Sequence, residues 1–319
     1  MNARLLIALV TTLILSSALP VGAADTVTVR LKWFNQAQFA GFYAAKEKGF
    51  YQAKGLDVAI QPGGPDFPAV QMVAGGNEQF GVTGADQILV ARSKGVPVVA
   101  VAVLYRKSPF VLFSLKQSGV DKPEKFREKK IGVKLGGNEE LIYRAVLGKA
   151  GLAAKDVTEI PVKFDMTSFL AGQIDVWPGY AINEVITARE KGFDVNVIWP
   201  SDYGINLYAD TLFTTEKMLK EKPDVVEKFV AATLQGWAYA ADHPEDAARI
   251  TVKHGTKLTY EHELAMMNES IPLLRPDKQP IGSMQATAWA ALQSFLLKGG
   301  FMKEAIALDK AYTTQYVGQ

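Results

Sequence analysis

The chain has 319 residues, 48% of them hydrophobic and 21% charged, and its 35 Lys and Arg against 33 Asp and Glu give a formal charge of +2. That balance belongs to an ordinary soluble globular protein; it excludes disordered, coiled-coil and collagen-like chains and gives no reason to expect nucleic acid or an anionic membrane as the main partner. The absence of cysteine removes disulfides, thiolate metal sites, iron–sulfur clusters and a cysteine nucleophile.

Met1 to Ala24 reads as a secretory signal peptide: Arg4, an apolar run from Leu5 to Leu15, then Pro20 and the small residues Gly22, Ala23 and Ala24. The run is shorter than the roughly 20 residues that span a bilayer. Cleavage after Ala23 or Ala24 is expected, without a lipid anchor, leaving a near-neutral chain free in a periplasm-like space.

From Thr26 short β-branched runs alternate with amphipathic stretches that end in glycine. Val27 to Leu31, Asp57 to Gln61, Gln79 to Val82 and Val98 to Leu104 read as strands; Phe39 to Lys54, Pro68 to Ala74 and Asp86 to Lys94 read as helices. The charged segment Asp121 to Lys130, with Pro123, marks a change of lobe. A second series follows. Strands are expected at Lys130 to Leu135, Thr158 to Phe164, Ile174 to Trp177 and Val195 to Trp199, and helices at Glu139 to Ala150, Thr167 to Ala171 and Asn183 to Lys191. Tyr203 to Thr215 reads as extended; Pro223 then opens a long helix through Tyr239, and the remainder is helical.

This alternation predicts an α/β protein of two lobes, each a mostly parallel sheet flanked by helices. The helical tail is too amphipathic to stand alone and should pack back on the first lobe, so two crossings are expected, near Leu115 to Gly119 and near Ile205 to Asp210. The lobes would then be residues 25–117 with 209–319, and residues 118–208. An internal echo supports the pairing: Val73 to Gly95 aligns without a gap on Leu170 to Gly192. It sets Asp86 and Gln87 against Asn183 and Glu184, each pair at a helix start just beyond a strand's C-terminal end, the edge where open α/β sheets hold ligands. Two such edges facing each other make a cleft.

Hydrolytic and metal chemistry find little support. His243, His254 and His262 are the only histidines, none in an H-E-x-x-H motif; the pairs Gly63-Gly64 and Gly136-Gly137 belong to no phosphate-loop motif, and no G-x-S-x-G elbow occurs. Aromatic and amide residues at strand ends carry more information. Trp33, Phe34, Asn35, Gln36 and Gln38 follow the first strand; Trp177, Tyr180, Asn183 and Glu184 follow a strand of the second lobe; Tyr203 and Tyr208 lie near the second crossing. Flat rings, neutral hydrogen-bonding groups and one carboxylate suit a planar, nitrogen-bearing ligand that is stacked and read at its edge.

The segments LKWFNQAQFAGFYAAKEKGFYQAKGLDVAI from Leu31 to Ile60, QFGVTGADQILVARSKGVPVVAVAVLY, KKIGVKLGGNEE, AGQIDVWPGYAINE and DYGINLYAD resemble periplasmic substrate-binding proteins of ABC importers, in the group related to thiamin-pyrimidine synthase and to binding proteins for thiamin-pyrimidine precursors and riboflavin. The resemblance implies the type II-like fold of two lobes closing on a ligand, no catalysis, no cofactor and no metal, and a monomer that delivers its ligand to a cognate permease. It carries ring contacts over to Trp33, Tyr180 and Glu184. Where pyrimidine-related members show Pro-Asn and a His before a Gly, this chain reads WFNQAQFAG, with Asn35 and with Gln38 or Phe39 at the corresponding places. Asp86, Gly136 and Asn138 complete the candidate set, at helix starts that could instead hold an organosulfonate or other small anion; Asp86 and Glu184 would oppose one. A secreted enzyme of the same fold is the third reading. Cysteines and an early histidine, used by the synthase relatives, are absent.

Overall fold

A computed structural model describes residues 24–135, 138–277 and 279–317, with Asn138 described in its backbone only. The expected targeting segment, up to Ala23, and Gly136 lie outside the described residues. Among those described, no helix is long and apolar enough to cross a membrane.

The first lobe opens with β1 (Asp25–Arg30), helices α1 (Ala40–Glu47) and α2 (Phe50–Ala53), β2 (Leu56–Gln61), α3 (Ala69–Ala74), β3 (Phe80–Gly84), α4 (Ala85–Ser93) and β4 (Val98–Val103). The second lobe follows as β5 (Phe110–Leu115), β6 (Lys130–Val133), α5 (Asn138–Lys149), β7 (Thr158–Pro161), α6 (Thr167–Leu170), β8 (Val176–Tyr180), α7 (Glu184–Glu190) and β9 (Val195–Ile198). The chain then returns through β10 (Asp210–Thr215) and finishes in α8 (Glu216–Glu221), α9 (Pro223–Asp242), α10 (Pro244–Val252), α11 (Tyr260–Leu274) and α12 (Ala286–Lys298).

Each lobe holds a five-stranded sheet, in the orders β2-β1-β3-β10-β4 and β7-β6-β8-β5-β9. The two orders match position by position, so β3–α4 and β8–α7, the segments that echo each other in sequence, occupy equivalent places. Neither sheet is as parallel as the alternation suggests. β10 runs antiparallel to both β3 and β4, and β5 runs antiparallel to both β8 and β9. These two strands belong to the crossings and are not products of β–α–β units.

The first crossing also lies earlier than expected. Phe110 to Leu115 is fully buried and pairs within the second sheet, so the chain changes lobe between Val103 and Phe110, not near Leu115 to Gly119. A continuous apolar run carries no alternation to announce which sheet it joins. The charged segment after it is a surface excursion of the second lobe.

The helical tail packs on the first lobe, with α9 laid across α1. Close approach requires glycine on both helices: a Cβ on Gly41 would sit 2.2 Å from the Trp237 ring, and one on Gly236 would sit 2.2 Å from the carbonyl oxygen of Gly41. Trp237 is fully buried against Phe42 and Tyr105. Burying such a face stabilises a helix that propensity alone would not hold.

Candidate ligand-binding cleft

The C-terminal ends of β1 and β8 face each other across a cavity of about 240 Å³. From the first lobe it is lined by Lys32, Trp33, Gln36, Gln38 and the Gly64–Pro65 turn, and from the second by Lys134, Glu139, Phe164, Tyr180, Asn183 and Glu184. A hollow of about 320 Å³ between α3 and α4 shares Lys32, but its wall carries exposed Gln71, Gln87 and Lys94 and it draws nothing from the second lobe.

Beyond β1 the chain is held tightly. The amide of Gly63 donates to the Trp33 carbonyl at 2.8 Å, and a Cβ on Gly63 would lie 2.0 Å from the Leu31 carbonyl oxygen, so only glycine allows the two segments to meet. Trp33 is half-buried and meets Phe34 and Phe164 edge-on, at 5.1 and 4.7 Å between ring centroids. Phe164 belongs to the other lobe, so this contact closes the cleft mouth. The turn Ala37–Phe39 is pinned from α11: the Ala37 amide donates to the buried Glu263 carboxylate at 2.5 Å. Burial pushes the Glu263 carboxyl up, and this bond only partly offsets it.

A polar network forms the floor. Lys32 Nζ donates to the Tyr180 hydroxyl at 2.7 Å across the lobes and pairs with buried Asp210 at 3.3 Å. Gln38 Nε2 donates to the other Asp210 oxygen at 2.7 Å, and Gln36 Nε2 donates to Gln38 Oε1 at 2.6 Å. Burial pulls the Lys32 ammonium down, but Tyr180 and Asp210 outweigh it, and the group stays protonated well above the usual lysine range. Burial raises the Tyr180 phenol, which is therefore neutral at physiological pH.

The second-lobe loop is organised locally. Glu184 Oε2 accepts the Tyr180 amide at 2.8 Å, four residues back, while its other oxygen lies 3.5 Å from Lys134 Nζ. The carboxylate therefore braces its own loop and meets a cation before it meets any ligand. Asn183, at the start of α7, makes no side-chain hydrogen bond among the described residues, and it lines the cavity.

Trp33, Gln38, Tyr180, Asn183 and Glu184 are thus brought together. Other candidates are placed elsewhere. Both ends of the Asn35 amide turn away, its Nδ2 to the His254 carbonyl at 2.5 Å and its Oδ1 to the Tyr43 hydroxyl at 3.0 Å. Phe39 is wholly buried in the first-lobe core. Trp177 is core as well, against Phe169; β8 runs on to Tyr180, and residues three apart in a strand face opposite sides of the sheet. Tyr203 sits half-buried in the turn Pro200–Tyr203, and Tyr208 is buried against Trp289 with its hydroxyl accepting the Gln285 amide at 3.1 Å. Asp86 is buried at the start of α4 and accepts from Gln87 at 2.7 Å; burial raises its carboxyl while nearby Lys32 lowers it. Asn138 opens α5.

Gln36, one of the amides that follow the first strand, lines the cavity too, and so do Lys32, Lys134, Glu139 and Phe164, which are not among the expected residues. Lys32 and Lys134 were findable, since each stands just past the end of a parallel strand and β1 and β6 hold equivalent positions in the two sheets.

Relatives agree with this architecture. The chain is 26% identical over 305 residues to the riboflavin-binding protein RibY of Chloroflexus aurantiacus, covering 91% of this chain and 86% of that one. It is 26% identical over 300 residues to a formylaminopyrimidine-binding protein of Halalkalibacterium halodurans, covering 92% and 91%. Among solved structures, the periplasmic aliphatic sulphonate binding protein SsuA of Escherichia coli superposes with a TM-score of 0.74 over 92% of this chain and 94% of that one, at 14% identity, which shows a shared periplasmic-binding-protein fold. The family model described as NMT1/THI5 like matches residues 36–247, two thirds of the sequence, and this chain belongs to the NMT1/THI5-like family.

Proposed function

We propose that this protein is the extracytoplasmic solute-binding component of an ABC importer, a monomer exported by a cleaved signal peptide that captures a small heteroaromatic nutrient without turning it over. The observation that carries the reading is the interlobe cavity itself, in which the half-buried Trp33 ring and the Tyr180 ring stand beside neutral amides and a hydroxyl. Closing the lobes removes water, so stacking and hydrogen bonds act at low dielectric, and the closed form is what a permease would recognise. The names of the two binding-protein relatives support riboflavin-like and aminopyrimidine-like ligands.

Two lysines in the cavity favour an anion as a second reading. Each already faces a carboxylate, Lys32 that of Asp210 and Lys134 that of Glu184, so an organosulfonate would meet ammonium groups that are partly neutralised. Mass spectrometry of whatever co-purifies with the folded protein, followed by calorimetric titration with riboflavin, 4-aminopyrimidine and ethanesulfonate, tests both. Binding of a heteroaromatic unchanged after prolonged incubation is the expected result. Binding of ethanesulfonate alone, or conversion of a bound ligand, defeats it.

A further inference from the structure

Asp210 lies at the root of two hydrogen-bond chains, and their direction can be worked out from the chemistry of the groups. Its carboxylate is 1% exposed and ion-paired with Lys32, so it can only accept. Gln38 must then turn its amino group toward Asp210, which leaves the Gln38 carbonyl oxygen toward Gln36. Gln36 in turn must present its own amino group to that oxygen. The Gln36 carbonyl oxygen is what remains. Gln36 is 9% exposed, lines the cavity, and among the described residues no protein donor reaches its Oε1.

The second chain has the opposite outcome. A lysine ammonium can only donate, so the Tyr180 oxygen accepts from Lys32 and the phenolic hydrogen is left to donate. Asp210 and its partner Lys32 thereby set an acceptor at Gln36 on the first-lobe wall and a donor at Tyr180 on the facing second-lobe wall.

We propose that Gln36 is a specificity-determining residue whose polarity is fixed by the positioning residues Gln38 and Asp210, and that the cleft selects planar heteroaromatics whose edge carries an N–H donor as well as an acceptor, such as lactams, imides and primary aminopyrimidines. The proposal rests on the heteroaromatic reading above. An N-alkylated ring would leave Gln36 Oε1 without a donor in a closed cleft, and a sulfonate would set oxygen against oxygen.

Calorimetric titration with two matched pairs tests this: riboflavin against 3-methylriboflavin, and 4-aminopyrimidine against 4-(dimethylamino)pyrimidine. The wild-type protein should bind the N–H member of at least one pair about tenfold or more tightly than its methylated partner. Gln36→Met keeps length and bulk but replaces the carbonyl acceptor with a thioether that accepts only weakly, and should bring that ratio to within about threefold. Asp210→Asn should also shrink the ratio, because an amide no longer dictates which way Gln38 turns; Gln38→Met interrupts the same relay should Asp210→Asn fail to fold. A purely structural role would lower affinity for both members of a pair alike and leave their ratio unchanged. Equal wild-type affinity within every pair that binds overturns the proposal alone, as does a full ratio retained by Gln36→Met, which would assign the discrimination to shape. Failure of the wild-type protein to bind any of the four compounds overturns the heteroaromatic reading and the proposal with it.

Discussion

The two loops that meet across the cleft are built in different ways. The one after β1 is held by partners far away in sequence: Ala37 by Glu263, Asn35 by His254, and Gln38 by Asp210. The one after β8 is held by itself, Glu184 reaching back four residues to the Tyr180 amide and across to Lys134. The first-lobe wall is therefore a product of β10 and the helical tail, although none of α9 to α12 lines the cavity. Damage to the tail should reach the site through the fold, whereas damage to the second-lobe loop should stay local.

The strongest test of that contrast is Glu263→Ala. It leaves the buried Ala37 amide without an acceptor and opens a void, and we expect a loss of about 2–4 kcal/mol of stability with weakened binding, read by denaturant melts and titration. Unchanged stability would dissociate the loop from the tail. Next comes Gly236→Ala, where the new methyl meets the Gly41 carbonyl; about 1–3 kcal/mol should be lost, with ligand affinity preserved in the molecules that remain folded.

Trp33→Ala should show the reverse signature. Its ring is half-buried at the cleft mouth, so about 1–3 kcal/mol of binding should disappear, by analogy with base–aromatic stacking, while the melting temperature hardly moves. A matched fall in melting temperature would reassign the ring to the core. Glu184→Gln should be milder, about 0.5–1.5 kcal/mol of binding, because the amide oxygen still accepts from Tyr180 and only the contact with Lys134 and the polarity toward the ligand change. A loss beyond a hundredfold would make the carboxylate a direct ligand contact.

The smallest effect concerns pH. Burial raises the Glu263 carboxyl above its ordinary value of 4.5, so the folded state holds the proton longer than the unfolded state does. Stability from this group is full below the ordinary value and falls as the pH rises through the raised one. Glu263→Gln, which keeps the acceptor and cannot ionise, should flatten that part of the melting-temperature profile as the pH rises above the ordinary carboxylate range. A profile that coincides with the wild type would show that Glu263 titrates normally.

Much of this architecture is legible in the sequence, and the reasons differ by element. Alternating β-branched and amphipathic stretches reveal β1 to β4 and β6 to β9 because each has a local period, and the echo of β3–α4 in β8–α7 discloses the matched sheets. β5 and the antiparallel course of β10 escape notice, since a buried strand's partners are a tertiary matter. At the site, Trp33, Tyr180 and Glu184 stand out as unusual residues at strand ends. Trp177 misleads because β8 runs three residues beyond it to Tyr180, and side chains three apart in a strand show opposite faces. Asp210 is invisible in another way: it is an unremarkable residue, and the direction it imposes on Gln38 and through it on Gln36 arises only once the separation of 172 residues between Gln38 and Asp210 has been folded away.

The sheet orders carry a consequence for the history of each molecule. The second sheet is contributed by one continuous stretch from β5 to β9, complete as soon as that stretch has been made. The first is not. Its edge strand β4 has β10 as its neighbour, and β10 separates it from β3, so the first sheet needs residues that follow the whole second lobe in the chain. A chain emerging from its N-terminus thus presents the lobes out of numerical order: the later lobe can assemble first, and the earlier one lacks its fifth strand until Asp210–Thr215 follows to fill the gap, bringing with it the carboxylate on which the floor of the cleft is anchored.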